Sequence, residues 1–241
     1  MSSTPTHSAS DESLGDGFVA PAWHTALLVS VILAVVATGT LLGSGSAARA
    51  AIDAPHTSRI ASVYGPTIVV SWAMVFYVAR IGRRACALRG LLGRSWTTVG
   101  RGFGDLALGL ATWLFICAFE HAWRTCVGPT ANSAVLMLLP ASLTERAAWV
   151  LVSVSVGFSE EVVYRGYLLT QLKAFGARAP LAVVLQAGLF GLAHADQGID
   201  GIARLAFYGL LLGILATARR SLWPGIVGHV VTNLVSGLVG A

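Results

Sequence analysis

Ser159-Glu160-Glu161-Val162-Val163-Tyr164-Arg165 lies inside a hydrophobic stretch, about 147–170, that otherwise reads as a membrane-crossing helix. Two adjacent carboxylates and a guanidinium at that depth are expensive. A single charge at the bilayer centre costs at least ~2.5–3.5 kcal/mol. A chain keeps such groups when they pair with one another, line a wet cavity or do chemistry. Glu161 and Arg165 are four apart and share a helix face, so they can pair along the helix. Glu160 is turned ~100° away from Glu161 and can point elsewhere.

The remainder of the chain agrees with a membrane setting. Of 241 residues, 55% are hydrophobic and only 11% charged, with a mean hydropathy of +0.73. Soluble domains carry about 25% charged residues. The net charge of +5 rests on arginine, since Lys173 is the only lysine. In a membrane protein such a balance marks basic loops on the cytoplasmic side rather than a nucleic-acid surface. Abundant Ala, Gly and Arg suit a GC-rich bacterial genome. Cys86, Cys117 and Cys126 form no CxxC or Cys/His metal spacing and read as reduced or membrane-buried thiols. Residues 1–22 are polar, lack a basic signal-peptide start and are expected to form a disordered tail.

The expected fold is all-α: a polytopic transmembrane bundle of seven to eight helices. Seven hydrophobic segments fall at about 24–43, 60–79, 104–123, 147–170, 180–194, 202–218 and 222–239. The apolar run Val135–Leu139, ended by Pro140, is a re-entrant piece or part of an eighth span. The chain divides into the tail 1–22, N-terminal transmembrane helices 23–146, and the segments 147–241 that carry the charged motifs. With the N-terminus inside, the cytoplasmic loops hold ten basic residues and the opposite loops five, which favours that topology. His24, His56, His121, Asp105 and Glu120 sit near segment ends and read as interfacial. Gly188, Gly191, Gly209 and Gly213 read as sites of close helix packing.

Two further polar pairs lie in apolar segments. Phe190 and His194 are four apart, as are His229 and Asn233. At the helical rise, Glu160 lies ~16 Å from the Gln171 end of its segment, His194 ~21 Å from Pro180 and His229 ~10 Å from Leu222. Three helices can therefore converge on one intramembrane pocket. The chemistry suits hydrolysis. A desolvated carboxylate whose only partner is a water is a strong proton acceptor. An imidazole can hold that water or pass its proton on. A second histidine beside a carboxamide offers donors to the oxyanion of a tetrahedral intermediate. Phe190 and Tyr164 read as packing residues.

The ordered set EExxxR at Glu160–Arg165, FxxxH at Phe190–His194 and HxxxN at His229–Asn233 resembles the CPBP (Abi) family of intramembrane proteases. That family includes CAAX prenyl endoproteases and bacteriocin self-immunity proteins. The resemblance implies an intramembrane endopeptidase, a multi-pass protein of the bacterial cytoplasmic membrane, acting on a membrane-associated protein or peptide. It implies that Glu160 activates water with help from His194, that His229 and Asn233 stabilise the oxyanion, and that Glu161 and Arg165 orient the site. No cofactor is expected. The alternative is zinc on Glu160, His194 and His229, which would leave no free carboxylate as base. Two other classes stay open: a non-catalytic scaffold or immunity factor with the same fold, and a transporter with a proton relay. The full set of polar residues argues against the first. The lack of an inverted repeat argues against the second.

Overall fold

The computed structural model describes residues 19–43, 59–81, 88–94, 96, 98–128 and 138–239. Helices α1 (Ala22–Gly43), α2 (Ile60–Ile81), α3 (Leu88–Leu92), α4 (Val99–Val127), α5 (Leu143–Ala174), α6 (Ala179–Leu192), α7 (Gly198–Arg219) and α8 (Trp223–Val239) follow in chain order. Among the described residues there is no strand, only one isolated bridge between Gly93 and Ser221. Each of the seven hydrophobic segments falls on a helix. Four stretches are long and apolar enough to cross a membrane: Ile60–Ile81, Val99–Val127, Leu143–Ala174 and Ala195–Arg219. Ala22–Thr38, Ala179–Leu192 and Trp223–Val239 are apolar but shorter. Most of the possible eighth span lies outside the described residues, as does His56. So do the first eighteen residues of the expected tail. Its last residues are not tail-like, for Val19 and Ala20 are buried. Val19 packs into the core.

Local chemistry sets the helix starts. At α5, Ser142 and Glu145 form a reciprocal capping box, and the Glu145 carboxylate also accepts from the Ala141 amide at 2.8 Å. Arg59 pairs with that carboxylate at 3.2 Å, fastening the start of α2 to α5. Thr98 caps α4, while α6 carries a proline in its first turn. Small residues then let the helices close up. A Cβ on Gly109 of α4 would lie 2.6 Å from the Val227 side chain of α8, and one on Gly157 of α5 would lie 2.7 Å from Val230. In the α6–α7 hairpin, Gly191 abuts the Ile202 carbonyl, Gly209 the Ala187 backbone and Gly213 the Gln186 carboxamide. Gly188 differs from expectation: it is exposed and a Cβ there would meet nothing within 4 Å.

Two of the polar residues placed near segment ends, Asp105 and Glu120, are inter-helix ties. Asp105, 1% exposed, takes Arg219 of α7 and the Trp96 indole N–H at 3.1 Å. Glu120 of α4 takes Arg204 of α7 at 2.8 Å together with the Tyr208 hydroxyl, and Asp200 takes the Trp123 indole N–H at 2.6 Å. Asp105 is buried, so neighbouring elements must satisfy its carboxylate, whereas Glu120 and Asp200 keep about a fifth of their side chains exposed. At the arginine-rich end the α3 segment lies across the bundle. The Arg94 amide donates to the Arg220 carbonyl at 2.9 Å and the Leu222 amide to the Leu92 carbonyl at 3.0 Å. Leu91 sits on Gly166 of α5, where a Cβ would come 3.2 Å from the Leu91 carbonyl.

Candidate active site

The site is built on an unusual stretch of α5. This rod is α-helical to Glu160, π-helical over Glu161–Leu168, and α-helical again from Leu169. π turns are rare, and they concentrate at functional positions. All eight residues of the π stretch are buried. They are surrounded by α2, α3, α6 and α7. The paired β-branched Val162 and Val163 fill the core there with no exposed surface.

Glu161 and Arg165 pair as their spacing implies. Arg165 Nη1 lies 3.0 Å from Glu161 Oε1, and both side chains are wholly inaccessible. Glu161 does more than neutralise the arginine. The same Oε1 receives His229 Nδ1 at 3.1 Å. A carboxylate accepts, so Nδ1 carries the proton and donates. That leaves His229 Nε2 aimed at Glu160, 3.5 Å from Oε2. Glu160 keeps 19% of its side chain exposed and His229 11%. Two adjacent carboxylates thus do different work. One is sealed behind the imidazole, and the other faces its free nitrogen from a partly open position.

Gly225 permits this contact. It lies four residues before His229, on the same face of α8. A Cβ there would stand 2.8 Å from Glu161 Oε2. Sequence reasoning passed over Gly225, although its i−4 spacing from a candidate histidine was the available signal.

Phe190 joins the three motifs and is more than the packing residue expected. It is 2% exposed. Its ring lies 4.9 Å from the His194 ring and 6.1 Å, nearly perpendicular, from the His229 ring. The Arg165 guanidinium carbon sits 4.3 Å over its face, a cation–π contact. Tyr164 packs edge-on against it at 5.1 Å. Its carbonyl also takes His194 Nδ1 at 2.8 Å. A carbonyl only accepts, so His194 presents Nε2 as a bare lone pair. His194 lies in the turn just past α6, capping the 3-10 turn Ala195–Gln197, and is half-buried. Asn233 lies one turn beyond His229, also half-buried, and its carbonyl accepts the Trp149 indole N–H at 2.9 Å.

Among the described residues no three His, Cys, Asp or Glu side chains converge closely enough to hold a metal ion. Glu160 and His229 approach each other at 3.5 Å. A small apolar cleft between α1, α5 and α6 is lined by Val29, Ile32, Leu33, Tyr164, Leu168 and Leu189. None of the catalytic candidates lines it.

Residues 140–235 match the model of the family described as type II CAAX prenyl endopeptidase Rce1-like. The matched stretch runs through α5 to α8 and contains all three motifs. Over that stretch the match supports the CPBP family of CAAX-type proteases. With its four membrane-length apolar helices it is a multi-pass membrane protein. No curated protein and no solved structure gives a significant match.

Proposed function

We propose that this chain is an intramembrane endopeptidase in which Glu160 is the general base for water attack on a peptide carbonyl. The observation that carries this reading is the approach of His229 Nε2 to Glu160 Oε2, with Glu161 behind the ring at Nδ1. Glu160 takes a proton from a water whose other hydrogen is accepted by His194 Nε2. The hydroxide oxygen bonds to the carbonyl carbon, and the Asn233 carboxamide donates to the developing oxyanion. Glu160 passes its proton to His229 Nε2. The imidazolium so formed is stabilised by Glu161 at Nδ1. It donates first to the oxyanion and then to the leaving nitrogen as the C–N bond breaks. The products are one chain ending in a carboxylic acid, which gives its proton to solvent, and one amine-ended chain, and Glu160 and His229 are restored. General acid–base steps of this kind contribute ~10²–10⁴-fold each.

The chemistry is proposed to run on side chains alone, in a bacterial cytoplasmic membrane with the N-terminus inside. The substrate is a membrane-tethered or amphipathic peptide, because a buried site is reached most readily by a chain already in the bilayer. The test is direct. The purified protein in lipid is incubated with peptides bearing a lipid or hydrophobic anchor, and the products are mapped by mass spectrometry. Internal cleavage at a fixed bond supports the reading. Tight binding without cleavage would leave the scaffold alternative in its place.

A further inference from the structure

The segment before α1 is held by α5 in a manner that the proposed chemistry does not require. Gln171 is fully buried. Its carboxamide oxygen accepts from the Val19 amide at 2.6 Å and the Ala20 amide at 3.2 Å. Its nitrogen donates to the Ala20 carbonyl at 2.8 Å and to Thr25 Oγ1 at 2.9 Å. Thr25 Oγ1 also meets the Tyr167 hydroxyl at 3.0 Å. A carboxamide that grips main chain in both directions fixes the position of its own helix turn as firmly as it fixes the segment it holds. In a low-dielectric interior these bonds are costly to lose.

What the clasp reads is the winding of α5. Tyr167 lies in the π stretch, and Gln171 lies in the α turn just beyond it. If one residue of the π excess relaxed to α geometry, everything beyond it would turn by about one position, ~100° and 1.5 Å. Gln171 would then leave Val19 and Ala20, and Tyr167 would leave Thr25. With the clasp holding that end, the same relaxation would instead turn the other end of the stretch and carry Glu161 off His229, while Glu161 and Arg165, four apart, would still share a face. One register of α5 therefore satisfies both ends. We infer that the Gln171–Tyr167–Thr25 clasp is a register lock: it holds the π winding that aims Glu161 at His229, making Gln171 a positioning residue ~15 Å from Glu161 along the helix.

This inference rests on the catalytic reading above for its kinetic consequence but not for its structural one. The test uses Gln171→Leu, which keeps the volume and removes all four bonds, and Thr25→Val, which removes two. Both are measured for turnover and for the ring ¹⁵N signals of His229 by NMR, assigned with His229→Gln. A misplacement of ~1 Å can cost about 100-fold. In folded Gln171→Leu, kcat is expected to fall tenfold or more with KM little changed. Its His229 ring signals should move, although the substitution is remote from that ring. Thr25→Val should show the same changes more weakly, and the double variant should add little, because both break one clasp. Unmoved His229 signals in either folded variant overturn the lock whether or not the protein cleaves peptides. Altered signals with no peptidase activity in the wild-type protein keep the lock and overturn the catalytic reading. Should Gln171→Leu fail to fold, the Thr25→Val measurement decides alone.

Discussion

Replacing Arg165 with methionine tests the buried charge cluster most severely. Arg165 and Glu161 are both inaccessible and 3.0 Å apart. Removing one partner of a buried pair costs about 3–5 kcal/mol, since the other charge stays behind. The His229 N–H on the same oxygen softens this loss. The lost cation–π contact with Phe190 adds to it. We therefore expect about 3–4 kcal/mol. At roughly 2–4 °C per kcal/mol for a chain of this size, Tm in detergent should fall by about 6–16 °C. Thermal unfolding followed by tryptophan fluorescence measures this. The combined variant Arg165→Met with Glu161→Gln should recover more than half the loss, because no bare carboxylate remains. A single variant within about 2 °C of wild type, or a double variant less stable than the single, would refute the pairing argument.

Other outcomes follow from the same geometry. Gly225→Ala sets a methyl 2.8 Å from Glu161 Oε2, so it should destabilise by about 1–3 kcal/mol and lower kcat. Unchanged unfolding and turnover would mean that α8 does not rest on that carboxylate. Extensive treatment with phenanthroline or EDTA should leave cleavage intact, with far less than one zinc per chain by elemental analysis. Stoichiometric zinc, with activity lost on stripping and restored on addition, would make Glu160, His194 and His229 ligands and remove Glu160 as free base.

Sequence periodicity gave a sound outline here because membrane burial imposes simple rules. Apolar runs of spanning length became helices, and four-residue spacings correctly paired Glu161 with Arg165. The convergence of α5 and α8 was legible for the same reason: Glu160 and His229 fall at comparable depths in their segments, and the two side chains meet at 3.5 Å. Three things were not legible. The π winding leaves no mark in composition, since an i, i+4 pair suits either winding. Glu161 serves His229 as well as Arg165, and that depends on Gly225 lying opposite, which only the packing reveals. Gln171 and the Val19–Ala20 backbone are about 150 residues apart in sequence, and a main-chain partner has no side-chain signature. Asp105 and Glu120 were read as interfacial from their places near segment ends, which carry no sign of their partners. Their arginine partners, Arg219 and Arg204, lie on α7.

Glu160 carries the central claim, and glutamine at that position keeps the shape while removing the base. Wild type and Glu160→Gln are purified in the same lipid, matched for folded protein by thermal unfolding, and compared for cleavage of an anchored peptide. The account predicts unaltered folding and a fall in kcat of about 10²–10⁴-fold. Turnover within a few-fold of wild type would contradict it and require the proton acceptor to be sought elsewhere.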